Sequence, residues 1–91
     1  MPLQVELVSA DRKVWSGEAS LVVARTVEGE IGLLPGHAPL LAVLSQGEVR
    51  ITATSGETVV ASAEGGFLSM EHDRVTVVSD RAALDSGTTA R

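Results

Sequence analysis

Cysteine is absent from the 91 residues, which excludes disulfides, thiolate metal sites and a cysteine nucleophile in this sequence. A reducing compartment is compatible with that absence. Aromatic residues are almost missing too: one Trp and one Phe leave the core to be built from layers of Val, Leu and Ala. Basic residues are scarce. Seven Lys and Arg stand against twelve Asp and Glu, for a net charge of −5, and only Arg12 and Lys13 are neighbours. A nucleic-acid surface needs clustered cations to neutralise phosphates, so that class of partner is not expected. No apolar run approaches the roughly 20 residues that span a bilayer. The opening MPLQVELVSADRK has neither the apolar core of a signal peptide nor the Arg-rich character of a transit peptide. A soluble chain is expected, with any membrane association running through another protein.

What the sequence does have is a 44% hydrophobic content distributed in short alternating segments, enough for one domain with a single core. Residues 3–9, 48–53 and 74–79 are rich in β-branched side chains and bounded by turn formers. Leu3, Val5 and Leu7 alternate with Gln4 and Glu6, and Val49, Ile51 and Ala53 alternate with Glu48, Arg50 and Thr52. Each of these two strands therefore has one buried face. Residues 21–27 are partly apolar on both faces, as a strand covered on both sides or facing a partner would be. Thr54, Ser55, Gly56 and Glu57 join a strand ending at Ala53 to one over residues 58–63, and residues 71–74 join residues 67–70 to 75–79, giving two hairpins. Gly65 and Gly66 suggest a bulge or a close approach of another backbone. The expected fold is all-β: a flattened sandwich or barrel of short, mostly antiparallel strands over residues 1–82. Residues 83–91 then form a short frayed tail, with at most a helical turn around Ala82 to Leu84.

Residues 28–41, EGEIGLLPGHAPLL, carry the densest punctuation in the chain. Pro35 and Pro39 push Leu34 and Ala38 towards extended conformations, and Gly29, Gly32 and Gly36 allow sharp changes of direction. This reads as a recognition loop that leaves its charges and one histidine available to a partner. Glu28 and Glu30 are two apart, so both carboxylates project to one side of an extended backbone. Such a pair performs acid-base chemistry only when burial splits its pKa values, and solvated loop charges are the simpler reading.

His37 has a side chain suited to a metal, a general base or a pH switch. No second ligand or nucleophile lies at a meaningful local spacing, so a hydrogen bond within the loop or a partner contact is the expected role. Glu71, His72 and Asp73, with Ser69 and Ser79 nearby, have the composition of a triad but fill a hairpin turn that points into solvent. Trp15 can anchor an interface, although packing on the core suits it as well. The GEIG and GG elements lack a GxxxxGK[ST] pattern and a following helix, which rejects a phosphate loop. No catalytic residue, metal or cofactor is expected.

The segments VELVSADRKVWSGEA, EGEIGLLPGHAPLL, GEVRI, GGFLSME and VTVVSDRA together resemble the ε-subunit family of bacterial F-type ATP synthases, called δ in mitochondria. The resemblance covers nearly the whole chain. It implies the amino-terminal β-sandwich of a non-catalytic rotor subunit that binds the γ subunit and rests on the ring of c subunits. Ion flow through that ring turns γ and ε and changes the catalytic sites elsewhere in the complex. By the same resemblance, Glu28, Gly29 and Glu30 face the c-ring, where an acidic loop suits Arg-bearing partner loops. Ser9, His37, Ala38, Pro39, Leu40, Leu41 and Ala42 face γ.

Full-length members of that family continue into a helical hairpin that restrains ATP hydrolysis, with a motif resembling (I/L)DxxRA near its start. Here Leu84 and Asp85 are followed by SGTTAR, so hairpin-based inhibition and nucleotide binding are not expected. The resemblance places the chain peripherally on the cytoplasmic face of a bacterial membrane. The competing reading is a stand-alone β-sandwich module whose Pro/Gly-rich loop binds another ligand.

Overall fold

A computed structural model describes residues 2–84 of the chain. Eight strands account for most of them: β1 (Leu3–Ser9), β2 (Arg12–Thr26), β3 (Gly29–Leu33), β4 (Leu40–Ala53), β5 (Thr58–Glu64), β6 (Phe67–Glu71), β7 (Arg74–Ser79) and β8 (Arg81–Leu84). Among the described residues there is no helix. The strands hydrogen-bond in the order β3-β2-β1-β7-β6-β4-β5-β8, and a further β2–β4 pairing closes this ribbon into a flattened barrel. Seven of the strand pairings are antiparallel, and β1 with β7 is parallel. The expected all-β sandwich or barrel, mostly antiparallel, is what forms.

Two strands are longer than their alternation suggested. β2 pairs with β1 through its first half and with β3 and β4 through its second, while β4 leaves β6 for β5 at its midpoint. Register shifts between Ala19 and Leu21 and between Ala24 and Thr26 mark where β2 bends across β4. Such corners let one strand serve both layers of a sandwich. The segment expected over residues 21–27 is thus the end of a strand beginning at Arg12, and residues 48–53 complete one beginning at Leu40.

The period-two pattern decides the core. Leu3, Val5 and Leu7 of β1, Val49 and Ile51 of β4, Leu68 and Met70 of β6, and Val75 and Val77 of β7 are all buried. Trp15 packs half-buried against this cluster, opposite Leu7 on β1. Its indole covers Gly17, where a Cβ would come within 2.9 Å of the ring. Of its two readings, core packing is the one observed.

At the carboxyl end the structure corrects the expectation of a helical turn. Residues 82–84 belong to β8, which pairs antiparallel with β5. Buried Ser79 holds it there: its hydroxyl accepts the amides of Glu64 (3.1 Å) and Arg81 (3.3 Å) and donates to the Arg81 carbonyl (2.8 Å). The Ala82 amide donates to Ser9 Oγ at 3.3 Å, with Ala82 itself only 4% exposed. These bonds favour the extended pairing because they give the part-buried amides of Glu64 and Arg81 and the buried amide of Ala82 their acceptors. Of the frayed tail expected over residues 83–91, residues 83 and 84 lie in β8 and the rest lies outside the described residues.

Ser79→Ala should lower unfolding free energy by about 1 to 3 kcal/mol, since the part-buried amides of Glu64 and Arg81 lose an acceptor at once. Exposed Ser55→Ala should change it by less than about 0.5 kcal/mol. Urea denaturation of both variants checks the contrast.

Candidate docking surface

Thr26 builds the acidic hairpin between β2 and β3. Its hydroxyl donates to the Gly29 carbonyl at 2.7 Å and accepts the Glu28 amide at 3.1 Å, closing a tight turn over Val27 and Glu28. Glu28, Gly29 and Glu30 are exposed, as a contact loop requires. Glu30 also walls a groove of about 690 Å³ with Arg25, Gln46, Glu48 and Arg50, floored by Val23 and Gly47. Arg25 and Glu30 are cross-strand partners, yet the ion pairs formed among the described residues are Arg50 with Glu48 (3.1 Å) and Lys13 with Glu6 (3.2 Å). Both exposed pairs contribute at most about 1 kcal/mol each. The groove therefore presents unpaired charges of both signs.

After β3 the chain turns at Pro35 and Gly36. The His37 amide donates to the Leu34 carbonyl at 3.1 Å, and Gly36 has φ of +86°. Proline at the second position and a positive-φ glycine at the third make this a type II turn. Asp73 of the β6–β7 turn accepts the Gly36 amide at 2.7 Å. His37 Nδ1 lies 2.7 Å from the Ala38 carbonyl, so the tautomer protonated there donates within the loop. That is the modest role expected of this histidine. Among the described residues no group of three His, Cys, Asp or Glu could hold a metal ion. The Ser69, Glu71, His72, Asp73 and Ser79 set is not assembled: Ser79 is buried under β8 while His72 is exposed at the opposite end of β7.

His37, Ala38 and Pro39 are exposed and lead into β4, where the side chains alternate. Leu40 packs against the core and Ala42 is half-buried on the same inward row, whereas Leu41 is 72% exposed. Ser9 lies apart from this group. Its parallel partner is Ser79, whereas Gln4, five residues earlier, bonds Asp73 beneath the Gly36 turn. At about 3.3 Å per residue, Ser9 is roughly 16 Å away, and its side chain is buried.

Two surface residues, Val43 and Phe67, were not singled out from the sequence, and they join Val27 of the doubly apolar segment. Val43 (57% exposed) follows Leu41 on the outer row of β4, faces Phe67 (43%) across the β4–β6 ladder, and accepts the amide of Val27 (64%) at 2.9 Å through its carbonyl. Val27, Leu41, Val43 and Phe67 thus form an apolar patch on a domain whose core is already complete. The signal was available in LLAVL, a strand segment with no polar residue on either face. A second groove, about 730 Å³, continues from Leu41 past Pro39, Ser69 and Met70 to His72 and Arg74.

Residues 2–85 match the family described as ATP synthase, Delta/Epsilon chain, beta-sandwich domain. The ATP synthase epsilon chain of Micrococcus luteus is 56% identical over 88 residues, covering 97% of each chain. That of Streptomyces avermitilis is 56% identical over 82 residues, 90% of this chain and 66% of the relative. A chain in the mitochondrial ATP synthase of Euglena gracilis, solved as OSCP/F1/c-ring, superposes with a TM-score of 0.85 at 22% identity over 91% of this chain and 53% of that one, which speaks for the fold. With a matching family over nearly its whole length, the expected closed sandwich, and close relatives of one name, this chain belongs to the ATP synthase delta/epsilon family through its β-sandwich domain.

Proposed function

We propose that the chain is a non-catalytic central-stalk subunit of an F-type ATP synthase, docking on the γ subunit through Val27, Leu41, Val43 and Phe67 and turning the hairpin of Glu28, Gly29 and Glu30 to the c-ring. The apolar patch carries this reading. Four large apolar side chains between 43% and 72% exposed lie together beside the punctuated loop, and such clustering on a small domain favours a protein partner. Leu40 and Ala42 support the patch from beneath, and residues 37–39 border it. The polar groove beside Glu30 suits a partner loop carrying charge and hydrogen-bonding groups, where complementarity sets orientation. In this reading the chain attaches to the cytoplasmic face of a bacterial membrane through the rest of the complex.

Size-exclusion co-elution with purified γ subunit, followed by calorimetry, should give a one-to-one complex. Absence of binding at tens of micromolar would overturn the γ assignment. Glu30→Lys should weaken association with isolated c-ring by about tenfold while shifting Tm by less than about 3 °C, because the side chain is exposed and forms no ion pair. Unchanged ring binding with a collapsed Tm would make Glu30 a structural residue instead.

A further inference from the structure

We propose that Asp73 is a positioning residue of the docking surface, holding the Pro35 and Gly36 turn against the β6–β7 turn so that a partner meets a preformed loop at the end of the groove. This rests on the γ-docking reading and extends it to a residue outside the punctuated loop. His72 (φ 52°) and Asp73 (φ 61°) both occupy the left-handed region, and neither is glycine. Two-residue hairpin turns of this shape favour Asn, Asp and Gly, and His and Asp reach this region more readily than most side chains, so the strain at these two positions is modest. What Asp73 does with its position is specific. Its carbonyl accepts the Gln4 amide at 2.8 Å, tying the turn to β1, and its carboxylate accepts the Gly36 amide at 2.7 Å across 37 residues of chain.

Gly36 itself has open space around it and no other described restraint than the turn bond from His37 to Leu34. Without Asp73, the loop over residues 34–39 is therefore joined to the body only at its ends. The consequence is geometric: Pro39, Leu40 and Leu41 form one wall of the 730 Å³ groove, and Glu71, His72 and Arg74 form the other. The β4–β6 ladder, with Leu40 opposite Met70 and Leu41 opposite Ser69, spaces these walls, and the Asp73 to Gly36 bond holds the loop leading into Pro39 at the end of the groove. Arg74 makes no ion pair among the described residues, so the groove offers an apolar side and a free guanidinium to the γ segment it receives. A loop held in place before contact spares the partner the cost of ordering it.

The variants separate positioning from fold stability. Asp73→Gly removes the carboxylate while relieving the positive-φ strain, and Asp73→Asn keeps an acceptor and tolerates the same backbone. Hydrogen exchange at the Gly36 amide, Tm, and calorimetry against purified γ are measured for the wild-type chain and both variants. Asp73→Gly should keep or raise Tm, speed exchange at Gly36 by about tenfold, and weaken γ binding about fivefold, with Asp73→Asn close to wild type. Unaltered exchange at Gly36 in Asp73→Gly would overturn the tether. Faster exchange with undiminished γ affinity would overturn the positioning role alone. Failure of the wild-type chain to bind γ would overturn the docking reading itself, a result seen before either variant is compared.

Discussion

Gly66→Ala should cost at least about 4 kcal/mol of folding free energy, most of the stability available to a domain of this size. Gly66 has φ of +93°, and a Cβ built on it would overlap the Val78 carbonyl oxygen and sit 2.7 Å from Ser79 Cα. Those atoms are backbone of β7, between buried Val77 and buried Ser79, so nothing flexible can give way. The Gly66 carbonyl also accepts the Leu44 amide at 3.0 Å, pinning the β4 corner, which a displaced Gly66 would release. Gly36→Ala is the control. Its φ is equally left-handed, but open space surrounds it, leaving a penalty of about 1 to 2 kcal/mol. Urea unfolding of both variants should therefore separate them clearly. Equal, small losses would mean that the β7 backbone can retreat from Gly66.

The double variant Leu41→Glu, Val43→Glu should abolish γ binding, weakening it by more than about a hundredfold, while the domain stays folded. Each apolar side chain contributes about 1.5 to 3 kcal/mol when fully covered by a partner, and each replacement would bring an unpaired carboxylate into a desolvated surface. In the free domain neither side chain is buried, so the substitutions remove little intramolecular packing. The remaining cost is a lower strand propensity, together under about 1 kcal/mol. Calorimetry with γ and thermal unfolding of the free variant measure the two effects separately. Undiminished affinity would move the interface away from β4. Loss of binding with a Tm lowered by tens of degrees would mark these residues as structural.

Much of this surface was legible in the chain. Glu28, Gly29 and Glu30 form an exposed hairpin because the acidic and glycine residues cannot serve a buried strand, and residues 35–39 form an exposed loop because two prolines withhold donors. The outward direction of Leu41 and Val43 was not legible, since a segment apolar on both faces does not reveal which face the core takes. The burial of Ser9 was not legible either: β8 folds back over it and its hydroxyl accepts the Ala82 amide, a contact across 73 residues. Likewise the polar turn at Asp73 reads as solvent-facing, because a contact spanning 37 residues leaves no local trace.

The sequence by itself determined the class of structure: period-two alternation, turn-forming residues between segments and a lack of aromatic or cysteine anchors all dictate an aliphatic β-sandwich, since these preferences act over neighbouring residues. It also determined family membership through the order of its motifs. Only the tertiary structure decided that β1 lies parallel to β7, that β2 and β4 turn corners to close the barrel, that residues 81–84 are a strand clipped by Ser9 and Ser79, and that Val27, Leu41, Val43 and Phe67 meet on one face. Each depends on pairing between segments far apart in the chain, where burying the shared core and satisfying every interior amide outweighs what any segment prefers alone.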